Sequence, residues 1–355
     1  MEIRALVVGA TGIAGRGASQ ALLDEGAEVF GLSRHSEGLV AGVRHVKADV
    51  EDEPSLASAL ANLWPTHVYL TIWIRRPSEQ ENIETNAGIV RRVLDIVGRN
   101  GGVKHAALVT GLKHYLGPFD SYARTGTLPQ TPVRESQPRL DTPNFYYAQE
   151  DELYAAAERY GFTWSVHRPH TVIGKAIGNA MNMGSTLAAF ASLCKETGRP
   201  FKFPGSAAQW NGLTDMTDAR LLGRQLVWAS TQDHAKNDAY NIANGDIFRW
   251  NWMWPRLAAA FDVPAVGYEN APAPLEAQMS DCAPIWREMA NKYGLVEPDL
   301  ARVASPWHTD LDLGRPLEVM TDMGLSRKRG FLDYQNTEDA FLELFTELRA
   351  DRVIP

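Results

Sequence analysis

Gly9-Ala10-Thr11-Gly12-Ile13-Ala14-Gly15 follows an apolar run at residues 5–8 and leads into an amphipathic stretch that continues to Leu23. Its glycines stand at the first, fourth and seventh positions of the motif. Glycine is needed in such a place for a tight turn, for close approach of the backbone to a pyrophosphate, and for packing of helix against strand. The helix that follows offers unpaired N–H groups and the positive end of its dipole to an anion. Three glycines alone are a weak signal, because a plain tight turn also uses them. Set between the first strand and first helix of a repeating pattern, they predict dinucleotide binding.

That repeat extends outward from the glycines. Further strands are expected at 28–32, 44–47, 68–72, 106–109 and 164–166, with helices from Pro54, through 86–97 and from Asn144. Alternation on this scale predicts an α/β fold: a Rossmann doubly wound parallel sheet of about six strands, joined by right-handed crossovers. Beyond Arg168 longer helical stretches take over, punctuated by Gly198-Arg199-Pro200 and Pro204-Gly205. The expected division is a Rossmann domain with the catalytic residues at 1–170 and a smaller, mainly helical substrate lobe at 171–355, with about 213–246 returning to the first domain. The stretch 115–143, rich in Gly, Pro, Thr and Gln, lacks periodicity, so it reads as a functional loop or as a surface excursion. Trp250, Trp252 and Trp254, spaced by two, read as packing within the lobe.

Composition sets the outer limits. The chain has 355 residues, 45% hydrophobic and 22% charged, which excludes fibrous and disordered classes and suits about two packed units. Thirty-five Lys and Arg against 43 Asp and Glu give a formal charge of -8, which argues against nucleic acid or anionic lipid as partner. Two cysteines, Cys194 and Cys282, support neither a disulfide framework nor a zinc cluster, and read as buried reduced thiols; no metal site is expected. Met1-Glu2-Ile3-Arg4 runs directly into the first strand without a signal-peptide layout, and no run approaches the ~18 to 20 apolar residues of a membrane span. A cytoplasmic protein acting on a small molecule is expected, with a homodimer as the assembly to consider.

The second strand runs into Gly31-Leu32-Ser33-Arg34-His35. An NAD site calls for a carboxylate there to hold the ribose 2'-hydroxyl, whereas Ser33 and Arg34 suit the 2'-phosphate of NADPH. The alternative has Arg34 as a surface arginine and Glu37 in the acidic role. Asp49 and Val50, after the third strand, fit the adenine edge. The remaining cofactor contacts are expected at Gly9, Thr11, Gly12, Ile13 and Gly15, at Thr110 after the fifth strand, at Tyr146, and at Pro169, Thr171 and Val172 after the sixth.

The paired tyrosines present a puzzle. Short-chain reductases, whose glycine spacing this chain resembles, place a lysine four residues after the catalytic tyrosine, where it lowers the phenol pKa. In Asn144-Phe145-Tyr146-Tyr147-Ala148-Gln149-Glu150-Asp151 that position holds a carboxylate for either tyrosine. A carboxylate cannot lower a phenol pKa as a cation does. One lysine stands elsewhere near the cleft, in Thr110-Gly111-Leu112-Lys113-His114-Tyr115-Leu116-Gly117-Pro118-Phe119 at the end of the fifth strand.

This stretch, the paired tyrosines with Glu150-Asp151, Ser165-Val166-His167-Arg168-Pro169, and Asn244-Gly245-Asp246-Ile247-Phe248-Arg249-Trp250 occur in one order along the chain. Together they resemble the progesterone 5β-reductase/iridoid synthase-like family of atypical short-chain dehydrogenases/reductases, over nearly the whole length. The resemblance implies a Rossmann domain with a helical substrate lobe, NADPH, and reduction of the carbon–carbon double bond of α,β-unsaturated carbonyl compounds. It places the catalytic tyrosine at Tyr146 and the catalytic lysine at Lys113. In a 1,4-reduction negative charge builds on the carbonyl oxygen, which a preorganised phenol and a nearby ammonium can stabilise. A ketone reductase or nucleotide-sugar epimerase on the same scaffold, or a nonenzymatic NADP(H)-sensing protein, are the competing readings.

Trp73, Phe145, Met181, Met183 and Trp210 are expected to rim a pocket suited to a steroid, terpenoid or small cyclic enone, although each suits a core equally. Two positions depart from the resemblance. His170 follows the Arg-Pro pair where plant members carry a small residue, and His308 follows Trp307 in a stretch that is aromatic in those members. Either imidazole can bond the nicotinamide carboxamide or the substrate, or can fill volume.

Overall fold

The computed structural model describes residues 3–118, 130–178 and 181–355. Seven parallel strands form one sheet: β1 (Arg4–Val8), β2 (Glu28–Ser33), β3 (Arg44–Lys47), β4 (His67–Leu70), β5 (His105–Val109), β6 (Thr163–Pro169) and β7 (Asp238–Ile242), in the order β7-β6-β5-β4-β1-β2-β3. The order reverses beside β1, where a dinucleotide crevice belongs. The expected six strands become seven. β7 was hidden because Asp-Ala-Tyr-Asn-Ile mixes polar and apolar residues, as a strand on the sheet's edge can.

The central strands read as unbroken apolar runs because both faces of the sheet are covered. Leu6, Val8, Val68, Leu70 and Leu108 point to one side. There they meet Val93, Leu94 and Val97 of α3 (Glu79–Asn100) and Leu153 of α5 (Phe145–Tyr160). Ala5, Val7, Val29, Tyr69 and Ala107 point to the other side. Leu22 of α1 (Ile13–Asp24) and Leu222 and Leu226 of the helix Ala219–Thr231 cover them. That last helix and β7 lie in the stretch that rejoins the sheet after the first part of the lobe.

α3 begins earlier than the expected 86, because Ser78 and Glu81 form a capping box that satisfies two end donors reciprocally. The second helix, α2 (Glu53–Leu60), starts one residue before the expected Pro54 and is capped by Asp52. β4 ends at Leu70 rather than 72, so the chain turns out of the sheet there toward Trp73.

A separate core fills the lobe, built on Phe201, Phe203, Trp250, Trp254, Trp286, Phe341 and Phe345. Trp254 stacks on Phe201 at 4.1 Å and donates its indole N–H to the Phe201 carbonyl at 2.9 Å. The three spaced tryptophans lie on a helix, Trp250–Ala259, so only Trp250 and Trp254, one turn apart, enter the core. Trp252 is exposed beneath the Arg256 guanidinium, which corrects its reading as packing. Both cysteines are buried free thiols, and burial pushes their pKa values up to about 12 for Cys194 and about 11 for Cys282.

Residues 119–129 of the aperiodic stretch expected at 115–143 lie outside the described residues, which resume at Gln130. His114 to Leu116 belong to a short helix, α4 (Lys113–Leu116). Val133 is buried and docks by its N–H on the Met320 carbonyl at 2.8 Å, while Asn241 of β7 holds its carbonyl at 3.1 Å. No helix among the described residues is long and apolar enough to cross a membrane.

Candidate active site

One cleft of about 410 Å³ opens at the carboxyl ends of β1, β4, β5 and β6. Its floor is the glycine turn. Gly9 has φ 83°, and a side chain there would meet Ile72 at 2.8 Å; one on Gly15 would strike the Gly9 carbonyl at 2.2 Å. The first and third glycines are therefore demanded by turn geometry and helix–strand contact. α1 begins at Ile13 with no side-chain cap and no acidic residue in its first turn, leaving its first amides and dipole to an anion. Gly9, Thr11, Gly12 and Ile13 line the cleft, so the residues present fit a dinucleotide pyrophosphate.

Ser33 and Arg34 stand at the end of β2, outside the cleft proper. Ser33 is half-buried and its hydroxyl donates to the His35 carbonyl at 2.6 Å, whereas Arg34 is exposed. The loop they begin folds back toward the turn, with a side chain at Gly38 lying 3.8 Å from Thr11 Cβ. The Asp49 carboxylate accepts from the Glu51 N–H at 3.0 Å, and the Val50 side chain is committed to the core under the sheet. Only the edge of that pair is open to a base.

The catalytic candidates come from two strand ends. α4 leaves β5 and carries Lys113; α5 enters β6 and carries Tyr146. Asn144 joins them: its side chain caps α5 by accepting from the Tyr146 N–H at 3.0 Å and donates to the Lys113 carbonyl at 2.8 Å. The Lys113 ammonium lies 4.4 Å from the Trp73 ring centroid, 4.8 Å from that of Phe145 and 5.7 Å from that of Tyr146. Burial pulls its pKa down to about 7, with Glu79 and Asp312 opposing and Arg75 and Arg315 adding to the fall.

The two tyrosines are not equivalent. The Tyr147 hydroxyl donates to the His114 carbonyl and accepts from the Leu140 N–H at 2.9 Å, so it fastens loops. Tyr146 lines the cleft, and its hydroxyl sits beside Gly111, where an added side chain would lie 3.3 Å from it. Glu150, four residues on, is buried and turned to other partners: 3.0 Å from Arg168, 2.9 Å from Arg139 and 3.3 Å from His114 Nδ1. Burial alone would raise its pKa, but the His114 and Arg168 contacts and Arg139 together hold it down to about 2. The carboxylate in the lysine register is thus a clamp behind the site.

Thr110, Pro169, Thr171 and Val172 all line the cleft, as do Trp73, Met181, His170 and His308. Three expected pocket residues do not. Met183 is 1% exposed in the lobe core because it opens the helix Met183–Thr197 on its buried side, and Trp210 packs on Phe203 at 4.8 Å. Phe145 lies one layer back, stacked at 5.1 Å on Trp73. Two lining residues carried no local signal: Asp312 and Arg315, brought in by the helix Pro306–Leu313 and the turn after it.

Comparison with known proteins places the chain by family and fold. The family model of the PRISE-like Rossmann-fold domain matches residues 37–355. A 3-oxo-Delta(4,5)-steroid 5-beta-reductase of Arabidopsis thaliana is 35% identical over 367 aligned positions, covering 100% of this chain and 94% of that protein. An (S)-8-oxocitronellyl enol synthase of Camptotheca acuminata is 33% identical over 364, covering 99% and 93%. Among solved structures, the UDP-glucose 4-epimerase of Thermotoga maritima superposes with a TM-score of 0.69 at 16% identity, covering 98% of this chain and 99% of that one, a likeness of fold alone.

Proposed function

The chain belongs to the PRISE-like Rossmann-fold domain family, and from that premise we propose that it reduces the carbon–carbon double bond of α,β-unsaturated carbonyl compounds. It is an NADPH-dependent oxidoreductase. When bound, the cofactor supplies the hydride that enters the substrate's β-carbon. The chain's own residues hold the dinucleotide at the Gly9–Gly15 turn, place the enone over it, and receive the charge that builds on the carbonyl oxygen.

Tyr146 is assigned that last task. What supports it is the contrast between the paired tyrosines: the Tyr147 hydroxyl is spent on backbone groups, whereas Tyr146 lines the cleft with its hydroxyl beside Gly111 and its ring 5.7 Å from the Lys113 ammonium. A phenol aimed at the developing enolate lowers the barrier by about 3–4 kcal/mol, and the buried ammonium of Lys113 adds positive potential. Proton delivery to the α-carbon completes the saturated carbonyl. A homodimer belongs to the same reading, with sedimentation equilibrium as its measure.

The test uses 2-cyclohexenone, progesterone and an acyclic enal, with saturated ketones as controls and product analysis of each. The expected products are saturated carbonyls with the ketone intact, and Tyr146→Phe is expected to lower kcat by about 100-fold or more. Alcohol products would shift the reading to ketone reduction. Wild-type turnover by Tyr146→Phe would remove the tyrosine from its role.

A further inference from the structure

One wall of the cleft is polar where a hydrocarbon enone asks only for apolar lining. Arg315 is 9% exposed and lies on that wall. Its guanidinium donates to His170 Nε2 at 2.9 Å and to the Asp312 carboxylate, while its Nε is buried with no hydrogen-bond partner. His170 is held in turn by Asp215, which its Nδ1 meets at 2.7 Å, and Asp215 also accepts the Thr321 N–H at 2.7 Å. Asp312 accepts the Thr171 hydroxyl at 2.8 Å. His308 lines the same wall, and its Nδ1 is buried without a partner.

These contacts fix a guanidinium on the cleft wall with only part of its donor capacity used. A guanidinium carries five N–H donors and no acceptor, and the bonds to His170 and Asp312 use two of them, leaving one N–H on each terminal nitrogen and the buried Nε–H unspent. Asp215 is shielded behind His170, and Asp312 is occupied by Arg315 and Thr171, so neither carboxylate is left to receive a cationic ligand. Lys113 adds a second basic side chain to the lining, and Arg75 lies 3.5 Å over the ring of Trp307 next to His308. Among the described side chains that line this wall, Arg315, Lys113 and His308 carry donors and Asp312, already engaged, is the one carboxylate, a lining that suits an anionic group on a ligand.

We propose that this wall, centred on Arg315 and His308, binds a carboxylate on the substrate, so that the enone reduced here is an acid as well as a carbonyl compound. The proposal rests on the ene-reductase reading and narrows its substrate class. A carboxylate presents up to four lone-pair positions and can accept from the remaining terminal N–H groups of Arg315 and from His308, which orients the double bond relative to Tyr146. A neutral imidazole at His308 adds a further donor, burial having lowered its pKa.

The experiment compares acyclic enones that end in a carboxylate two or four methylenes beyond the double bond, each beside its methyl ester and the corresponding alcohol. The expected result is a kcat/KM at least tenfold higher for the acid than for either neutral partner at one of the two lengths. That preference is expected to fall toward unity in His308→Phe and in the charge-neutral pair Arg315→Gln with Asp312→Asn. Because each variant is read as a ratio on one preparation, loss of fold is separated from loss of selectivity. Competitive inhibition of the wild type by the saturated acid, and not by its ester, gives a readout that needs no variant. Equal rates for acid, ester and alcohol overturn the carboxylate subsite and leave the ene-reductase reading standing. Failure to reduce any of them, with NADPH bound, overturns the ene-reductase reading itself.

Discussion

Lys113 shows how far a fold can move the chemistry of one side chain. Its ammonium lies among three aromatic rings, and burial brings its pKa from 10.5 to about 7. A lowered lysine pKa means that the unfolded chain holds a proton the native one releases between pH about 7 and 10.5, so stability rises with pH across that window and the cost of burial is felt in full below it. Urea unfolding at pH 6 and pH 9 is therefore expected to show wild type gaining on Lys113→Met by about 1–3 kcal/mol. Turnover should move oppositely, because the ammonium is the form that favours an enolate: kcat is expected to fall as pH rises through the lysine's pKa in the complex, a limb that Lys113→Met lacks. The paired tyrosines give a second test at this scale. Tyr147→Phe loses the bonds to His114 and Leu140 and is expected to cost about 1–3 kcal/mol of stability while changing kcat only a few fold. Tyr146→Phe is expected to do the reverse, and equal effects of the two on kcat would sink the distinction.

At the scale of elements, α5 is the piece that explains the missing lysine. Tyr146 and Glu150 are one turn apart, yet the tyrosine meets the cleft while the carboxylate reaches Arg168 of β6, Arg139 and the α4 residue His114. The carboxylate thereby ties α5 to the strand and to the short helix that carries Lys113. Its pKa of about 2 lies below the ordinary 4.5, so this stabilisation is complete above pH 4.5 and drains away as pH falls toward 2. Glu150→Gln leaves Arg168 buried and unpaired, and is expected to cost about 3–5 kcal/mol near neutral pH. Urea titrations from pH 6 down to pH 3 should show the gap between wild type and variant narrowing; a constant gap would mean that the carboxylate's charge is not what holds the elements together. The register of Tyr146, Tyr147 and Glu150 was legible in the chain, since it needs only the 3.6-residue period. Which tyrosine faces the cleft came from the family resemblance and not from that period, because it depends on where the 140 and 114 backbones lie. Asp312 and Arg315 were hidden for the same reason: they reach His170 and Thr171 across about 140 residues of sequence. β7 escaped notice as an edge strand without a full apolar run, whereas β1, β2 and β5, covered on both faces, declared themselves.

Across the whole molecule, a chain of formal charge -8 must attract a cofactor that is itself an anion. The long-range field opposes binding, so affinity has to come from short-range donors, for which we propose the α1 amides at the pyrophosphate and Ser33 with Arg34 at the end of β2. The expected site of discrimination between NADPH and NADH lies wholly at that strand end, more exposed than the cleft and separate from the lobe that covers the substrate. Cofactor choice and substrate choice should therefore vary independently. Ligand that binds only the native state adds RT ln(1 + [L]/Kd), about 2.7 kcal/mol at a hundredfold excess of NADPH over its Kd, which raises Tm by several degrees. NADH at the same concentration, if bound about a hundredfold more weakly, adds only about 0.4 kcal/mol and leaves Tm almost unmoved. A charge-assisted bond from Arg34 to the 2'-phosphate is worth about 1.5–3 kcal/mol, so Arg34→Gln should remove most of the NADPH shift and none of the NADH shift. The acid-over-ester preference at Arg315 should survive that substitution. Differential scanning fluorimetry with each cofactor reads the first expectation directly, and equal shifts by NADH and NADPH in the wild type would show that the end of β2 does not read the 2'-phosphate.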